Sequence, residues 1–130
     1  MKKMNKKGFT LIEMLAVIAI IAVLVAIIVP AVSNSTKKAQ AAADAANLRS
    51  IQAEAAIDYL EDKDLDKTYT ATIKTVTGTV EIHLVADRLC AVVKVGSAYY
   101  DVDSFAKVAT DGSDIAANTT AGYADTNKIG

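Results

Sequence analysis

Lys6-Lys7-Gly8-Phe9-Thr10-Leu11-Ile12-Glu13-Met14-Leu15 is the stretch on which the reading of this chain turns. Two lysines precede a glycine, an aromatic residue follows it, and one acid sits inside an otherwise apolar run. On the N-terminal side, residues 1–8 carry Lys2, Lys3, Lys6 and Lys7 and no acid. On the C-terminal side, residues 9–32 carry one charge, Glu13, and residues 14–29 are apolar without a break. As helix, residues 9–32 span about 36 Å at ~1.5 Å per residue, against a bilayer hydrocarbon core of roughly 30 Å. The run is apolar on every face, which suits lipid or a core made of other helices. The leader lysines predict a cytoplasmic N-terminus by the positive-inside bias, with residues 33–130 on the far side. Lys37 and Lys38 argue weakly the other way.

Two ordinary readings compete for this segment. One is a removable secretory signal, with Ala31-Val32-Ser33 as a passable cleavage site. The other is a plain single-pass anchor. Neither explains Glu13. An acid in a membrane span costs roughly 2.5–3.5 kcal/mol on insertion scales. The next basic residue on the same helix is Lys37, about 36 Å further along at the same rise. The partner of Glu13 is therefore another molecule, or a terminal amine made by cleavage nearby; alternatively, the carboxylate is solvated at the membrane edge.

These residues resemble the N-terminus of a type IV prepilin with a class III-type leader, in the pilin and pseudopilin superfamily. The resemblance rests on the basic leader ending in Gly8, then Phe9, then Glu13 at the fifth place beyond the junction, then the apolar run with Pro30 near its end. It covers residues 1 to about 60. It implies that a prepilin peptidase cuts between Gly8 and Phe9 and methylates the new Phe9 amine. It also implies that the apolar helix anchors in the cytoplasmic membrane, then leaves it to form the core of a helical homopolymer, served by an assembly platform and ATPase machinery. The side-chain-free Gly8 lets the scissile bond approach a cleft closely. Glu13 of one subunit is expected to meet the Phe9 amine of a neighbour and to set filament register, since desolvation offsets much of the attraction of such a pair. Pro30 removes a helix hydrogen bond, so it marks a kink or a place where helix unwinds. Many relatives carry a glycine within the span, where this chain has Ala22, and many staple a C-terminal loop with two cysteines, where this chain has only Cys90.

The rest of the chain narrows the classes. It has 130 residues, 52% apolar, with 14 basic and 15 acidic residues and a net charge of −1. A single cysteine excludes an internal disulfide framework, and Cys90 with His83 is too few for a Cys/His zinc site. After removal of residues 1–8 every acid remains and ten basic residues do, which disfavours strong nucleic-acid binding. Cys90 lies in an apolar run and reads as a buried small hydrophobe. His83 reads as a surface residue on an alternating strand, with no Ser/His/Asp or Cys/His arrangement around it. The protein reads as structural and not an enzyme, with no cofactor.

Residues 33–62 contain no Gly or Pro, and Ala41, Ala45, Leu48, Ile51, Ala55 and Tyr59 form one stripe at helical spacing. Lys37, Lys38, Asp44, Arg49, Glu54 and Asp58 fall largely off it. Residues 61–67 alternate in charge and read as a solvated loop, with a calcium site as the sharper alternative. Residues 68–102 read as three or four strands: 69–77, a strand with Val80, Ile82 and Leu84 facing one way and Glu81 and His83 the other, the run 89–95, and 98–102. Residues 80–90 also allow a helix. Gly96-Ser97 fits a tight type II′ hairpin turn. Residues 103–130 read as a polar surface loop, in which Asp101, Asp103, Asp111 and Asp114 either are solvated or gather a calcium ion.

The expected fold is therefore α+β. A cleaved leader (1–8) and a transmembrane or filament-core helix (9–32) come first. An amphipathic continuation (33–62) then packs on a small antiparallel sheet with a polar C-terminal loop (63–130). The expected function is a structural subunit of a type IV pilus, serving adhesion, motility or DNA uptake. The alternatives are a pseudopilin of a type II secretion system and, less favoured, a membrane-anchored binding module.

Overall fold

The computed structural model describes residues 7–62, 69–119, 121–124 and 128–129. Helix α1 (Leu11–Asp62) is followed by β1 (Thr79–Val85), β2 (Arg88–Val95), β3 (Ala98–Asp101), α2 (Val102–Asp111) and β4 (Lys128–Ile129). The chain divides into two compact units, Met1–Asn34 and Ser35–Gly130. In the first, every residue from Lys7 to Asn34 is exposed. The expected loop over 61–67 lies mostly outside the described residues, as does most of the leader.

The second unit is built on the sheet, whose strand order is β3-β2-β1-β4, with every neighbouring pair antiparallel. Residues 80–90 are strand and turn, not helix. Ala86 and Asp87 join β1 to β2 with φ of 49° and 60°, and Gly96 opens the β2–β3 turn with φ 61°, the left-handed conformation a tight hairpin requires. The face carrying Ile82, Ala91 and Val93 packs on the expected stripe of α1, where Ala41, Ala45, Leu48, Ile51 and Ala55 are all buried. The small alanines allow helix and sheet to approach closely, and Leu48 and Phe105, both fully buried, contribute about 1.5–3 kcal/mol each.

Several expectations are corrected. Residues 69–77 are not a strand. Their polar groups bond to side chains of α1 instead of to a ladder: Tyr69 donates to Asp58 (2.7 Å), Asn47 donates to the Thr72 carbonyl (2.9 Å), and the Lys74 and Thr75 amides donate to Asp44 (3.1 and 2.8 Å). From Asp58 back to Asp44 is about 21 Å of helix, and Tyr69 to Thr75 covers about 20 Å when extended, so the segment runs antiparallel along α1. Asp44, expected off the stripe, is 2% exposed and also accepts from the Thr75 hydroxyl.

His83 and Glu81 are not at the surface either. His83 is fully buried and Glu81 nearly so. The alternation along β1 is as expected, but its second face is covered by the C-terminal segment. Tyr99 and Tyr123 pack edge-on against His83, with centroids at 5.2 and 5.7 Å. Glu81 bridges His83 Nε2 (3.1 Å) and Lys128 Nζ (3.2 Å). Cys90, directly across from His83, is half-buried, not buried, and is a free thiol.

Residues 103–130 hold a helix, not only a loop. Asp101 caps α2 by accepting from the Ser104 amide (2.9 Å), and Gly112 ends it in the left-handed conformation, φ 73°, its amide bonded to the Val108 carbonyl (2.8 Å). Lys37 and Lys38 on α1 donate to the carbonyls of Gly112 (3.2 Å) and Thr110 (3.1 Å) at this C-terminus, where unpaired carbonyls carry partial negative charge. Their placement beyond the apolar run thus has a folding reason.

Candidate functional site

The N-terminal segment presents its groups one after another. Gly8 and Phe9 are exposed in irregular backbone three and two residues before α1 starts, and a side chain added at Gly8 would meet nothing within 4 Å. Phe9 is 81% exposed. The peptide bond between them is therefore exposed and outside the helical hydrogen-bond ladder.

Thr10 and Glu13 form a reciprocal helix cap. The Thr10 amide and hydroxyl donate to Glu13 Oε2 at 2.7 and 3.0 Å, and the Glu13 amide donates back to the Thr10 hydroxyl at 3.3 Å. This is a capping box, with Thr10 at the N-cap and Glu13 at the third helical position. Thr-x-x-Glu at 10–13 is its sequence signal, which the readings of Glu13 as paired to another molecule or a terminal amine, or as solvated, all passed over. The cap has two effects. It satisfies helix-end donors that would otherwise be bare, and it places the carboxylate in the first turn, where the helix dipole favours negative charge. Both contacts fall on Oε2. None of these bonds draws on a group N-terminal to Thr10.

Beyond the cap, α1 turns large apolar side chains to solvent on every side: Leu11, Ile12, Leu15, Ile18, Ile20 and Ile27 are each more than 60% exposed. The segment passes as long and apolar enough to cross a membrane. Pro30 lies within α1, which is helical from Leu11 to Asp62. It supplies no amide, so the Ala26 carbonyl lacks its usual helical partner.

The remaining candidates are each engaged separately. Asp101 is 6% exposed and accepts from Ser104, from Asn118 Nδ2 (2.6 Å) and from the Tyr123 hydroxyl (3.0 Å). Asp111 caps Ser113 (2.8 Å) and Asp114 pairs with Lys37 (2.7 Å). Among the described residues no three His, Cys, Asp or Glu side chains converge in a metal-holding group. Asp101, Tyr123 and Asn118 instead fasten the C-terminal segment to the sheet, where no disulfide is available.

Burial, with the neighbouring Asp101 carboxylate and Cys90 thiol, pushes the Tyr123 phenol up from its ordinary 10.0. A group whose value is raised on folding adds stability that is intact below the unfolded value and is lost as pH climbs past it. Chemical unfolding of the full chain in detergent should therefore show stability falling above about pH 10. Tyr123→Phe should remove part of that fall, and identical alkaline profiles for the two proteins would contradict the assignment.

Residues 3–29 match the family model described as prokaryotic N-terminal methylation motif. The match takes in most of the leader, the Gly8–Phe9 junction, the cap and nearly all of the apolar run. No curated protein and no solved structure shows significant similarity to the chain.

Proposed function

We propose that this chain, whose N-terminus is that of a type IV pilin or pseudopilin prepilin, is a structural subunit of a type IV pilus. The observation that supports this reading most is the methylation motif lying over the exposed Gly8–Phe9 junction and an apolar helix exposed on every side up to Asn34. Such a helix is stable only in lipid or among like helices. Before assembly it holds the precursor in the cytoplasmic membrane with residues 1–8 inside. After cleavage between Gly8 and Phe9 it passes from lipid into a bundle of copies, and the globular units form the outside of an extracellular filament.

Cleavage changes the electrostatics at one end of that bundle. It removes four lysines and creates a cation at Phe9, next to the capped Glu13. Both Thr10 bonds fall on Oε2, and Oε1 is the oxygen assigned here to a neighbour. A Phe9 amine from an adjacent copy would complete the carboxylate and align the helices axially. In a dry bundle this pair acts mainly on register. Pro30, with its missing helical bond, is the place where α1 would bend or open as copies pack.

Mass spectrometry of the filament subunit should give a chain beginning at N-methylated Phe9. A subunit still carrying residues 1–8 would contradict the processing. Electron microscopy of cells with and without this chain tests the pilus directly. Long surface fibres lost on deletion support it, whereas lost secretion without loss of fibres would assign a pseudopilin instead.

A further inference from the structure

Both arginines of the chain, Arg49 and Arg88, rim one groove of about 580 Å³ on the globular unit. They come from elements far apart in sequence, the middle of α1 and the first residue of β2. Between them the groove is lined by Ala53, Ala56, Leu60 and Leu84, with Asp87 at the hairpin tip. Among the described residues neither arginine pairs with a carboxylate. A guanidinium is a planar fork of donors matched to a carboxylate. Two of them at the edge of an apolar groove fit an apolar side chain flanked by acids.

The same chain carries such a ridge on the next flank of α1. Arg49, Ala53, Ala56 and Leu60 follow one another by three or four residues along the groove flank. Glu54, Ile57 and Glu61 do the same along the flank turned further from the sheet. Ile57 is 60% and Leu60 80% exposed, and Glu54 and Glu61 are exposed beside them. Apart from Val95 at 38%, these are the only large apolar side chains that the described part of the globular unit leaves exposed. Exposed apolar residues gathered in one patch mark an interaction surface.

We propose that this groove is a second self-association surface, which receives the Glu54–Ile57–Glu61 ridge of a neighbouring copy and pairs its acids with Arg49 and Arg88. Ridge and groove are different surfaces, so each copy uses one on either side, and the contact extends as an open chain instead of closing into a pair. The proposal rests on the polymer reading above and adds a contact between globular units to the one between apolar helices.

The test is cysteine cross-linking in assembled filaments of the full chain. In a Cys90→Ser background, Ala53→Cys and Ile57→Cys introduced together should give a ladder of dimers, trimers and larger species on mild oxidation, and each cysteine alone should give none. Reversing the groove with Arg49→Glu and Arg88→Glu should lower filament yield at least tenfold, and adding Glu54→Arg and Glu61→Arg should restore it. Filaments that form normally yet give no ladder, or that ignore the reversal, would overturn this surface and leave the filament reading standing. Absence of filaments from the wild-type chain would overturn the filament reading itself, and this surface with it.

Discussion

Glu13→Gln abolishes filaments while the precursor stays in the membrane and its globular unit stays folded. Gln keeps the shape of the side chain and an oxygen able to accept from Thr10, so the capping box survives. Only the charge is lost. In the precursor that loss is harmless, because an uncharged side chain is cheaper in lipid. In the filament it leaves each Phe9 ammonium buried without its counter-ion. Removing one partner of a buried pair costs about 3–5 kcal/mol, a factor of a hundred or more at every contact. Glu13→Ala loses the cap as well and should assemble no better. Filaments sheared from cells and quantified against total subunit give the readout. A Gln variant that assembles at wild-type yield would remove the pairing role and leave the carboxylate as a helix cap only.

Asp44→Ala unfolds or severely loosens the globular unit. Asp44 is 2% exposed and holds two backbone amides and a hydroxyl of residues 74–75. Truncation leaves those donors without their acceptor beside the core, a loss of roughly 2–4 kcal/mol, since hydrogen bonds to a charged group are worth about 1.5–3 kcal/mol each. That is a large share of the stability of a small domain. Asn47→Ala removes one neutral bond from the same segment, to the Thr72 carbonyl, and should cost about 1 kcal/mol. The difference between the two, measured by denaturant unfolding of the full chain in detergent, tests whether residues 69–77 are held by Asp44. Equal effects would contradict it.

Much of this structure was legible in advance, for local reasons. The absence of Gly and Pro over 33–62 and the stripe from Ala41 to Ala55 describe a helix with one buried face, and that face is the one buried. The alternation in β1 and the Gly96 turn are equally local. What was misread depends on distant residues. A strand shows two faces by its period, yet whether the second meets water depends on what covers it, and Tyr123 and Lys128 lie some forty residues beyond His83. Residues 69–77 have genuine strand propensity, but their amides find Asp44 about thirty residues earlier. Helix α2 is different. Asp101 before it, Gly112 after it, and Val102, Phe105 and Val108 three apart are all local signals, outweighed in reading by the polar composition around them. At the candidate site, Gly8, Phe9 and Glu13 stood out through the resemblance to a prepilin N-terminus, and all three lie within the matched motif at residues 3–29. The Thr10 cap was readable too, as Thr-x-x-Glu, but the cost of an acid in an apolar run drew the reading toward a partner elsewhere.

In the proposed function, an apolar helix exchanges lipid for its own copies and Glu13 sets how those copies align. A helical reconstruction of the assembled filament at side-chain resolution tests it most directly. The account predicts that the Glu13 carboxylate lies in a dry core, within salt-bridge distance of the Phe9 amine of an adjacent subunit. A Glu13 carboxylate facing solvent, away from every neighbouring subunit, would contradict it.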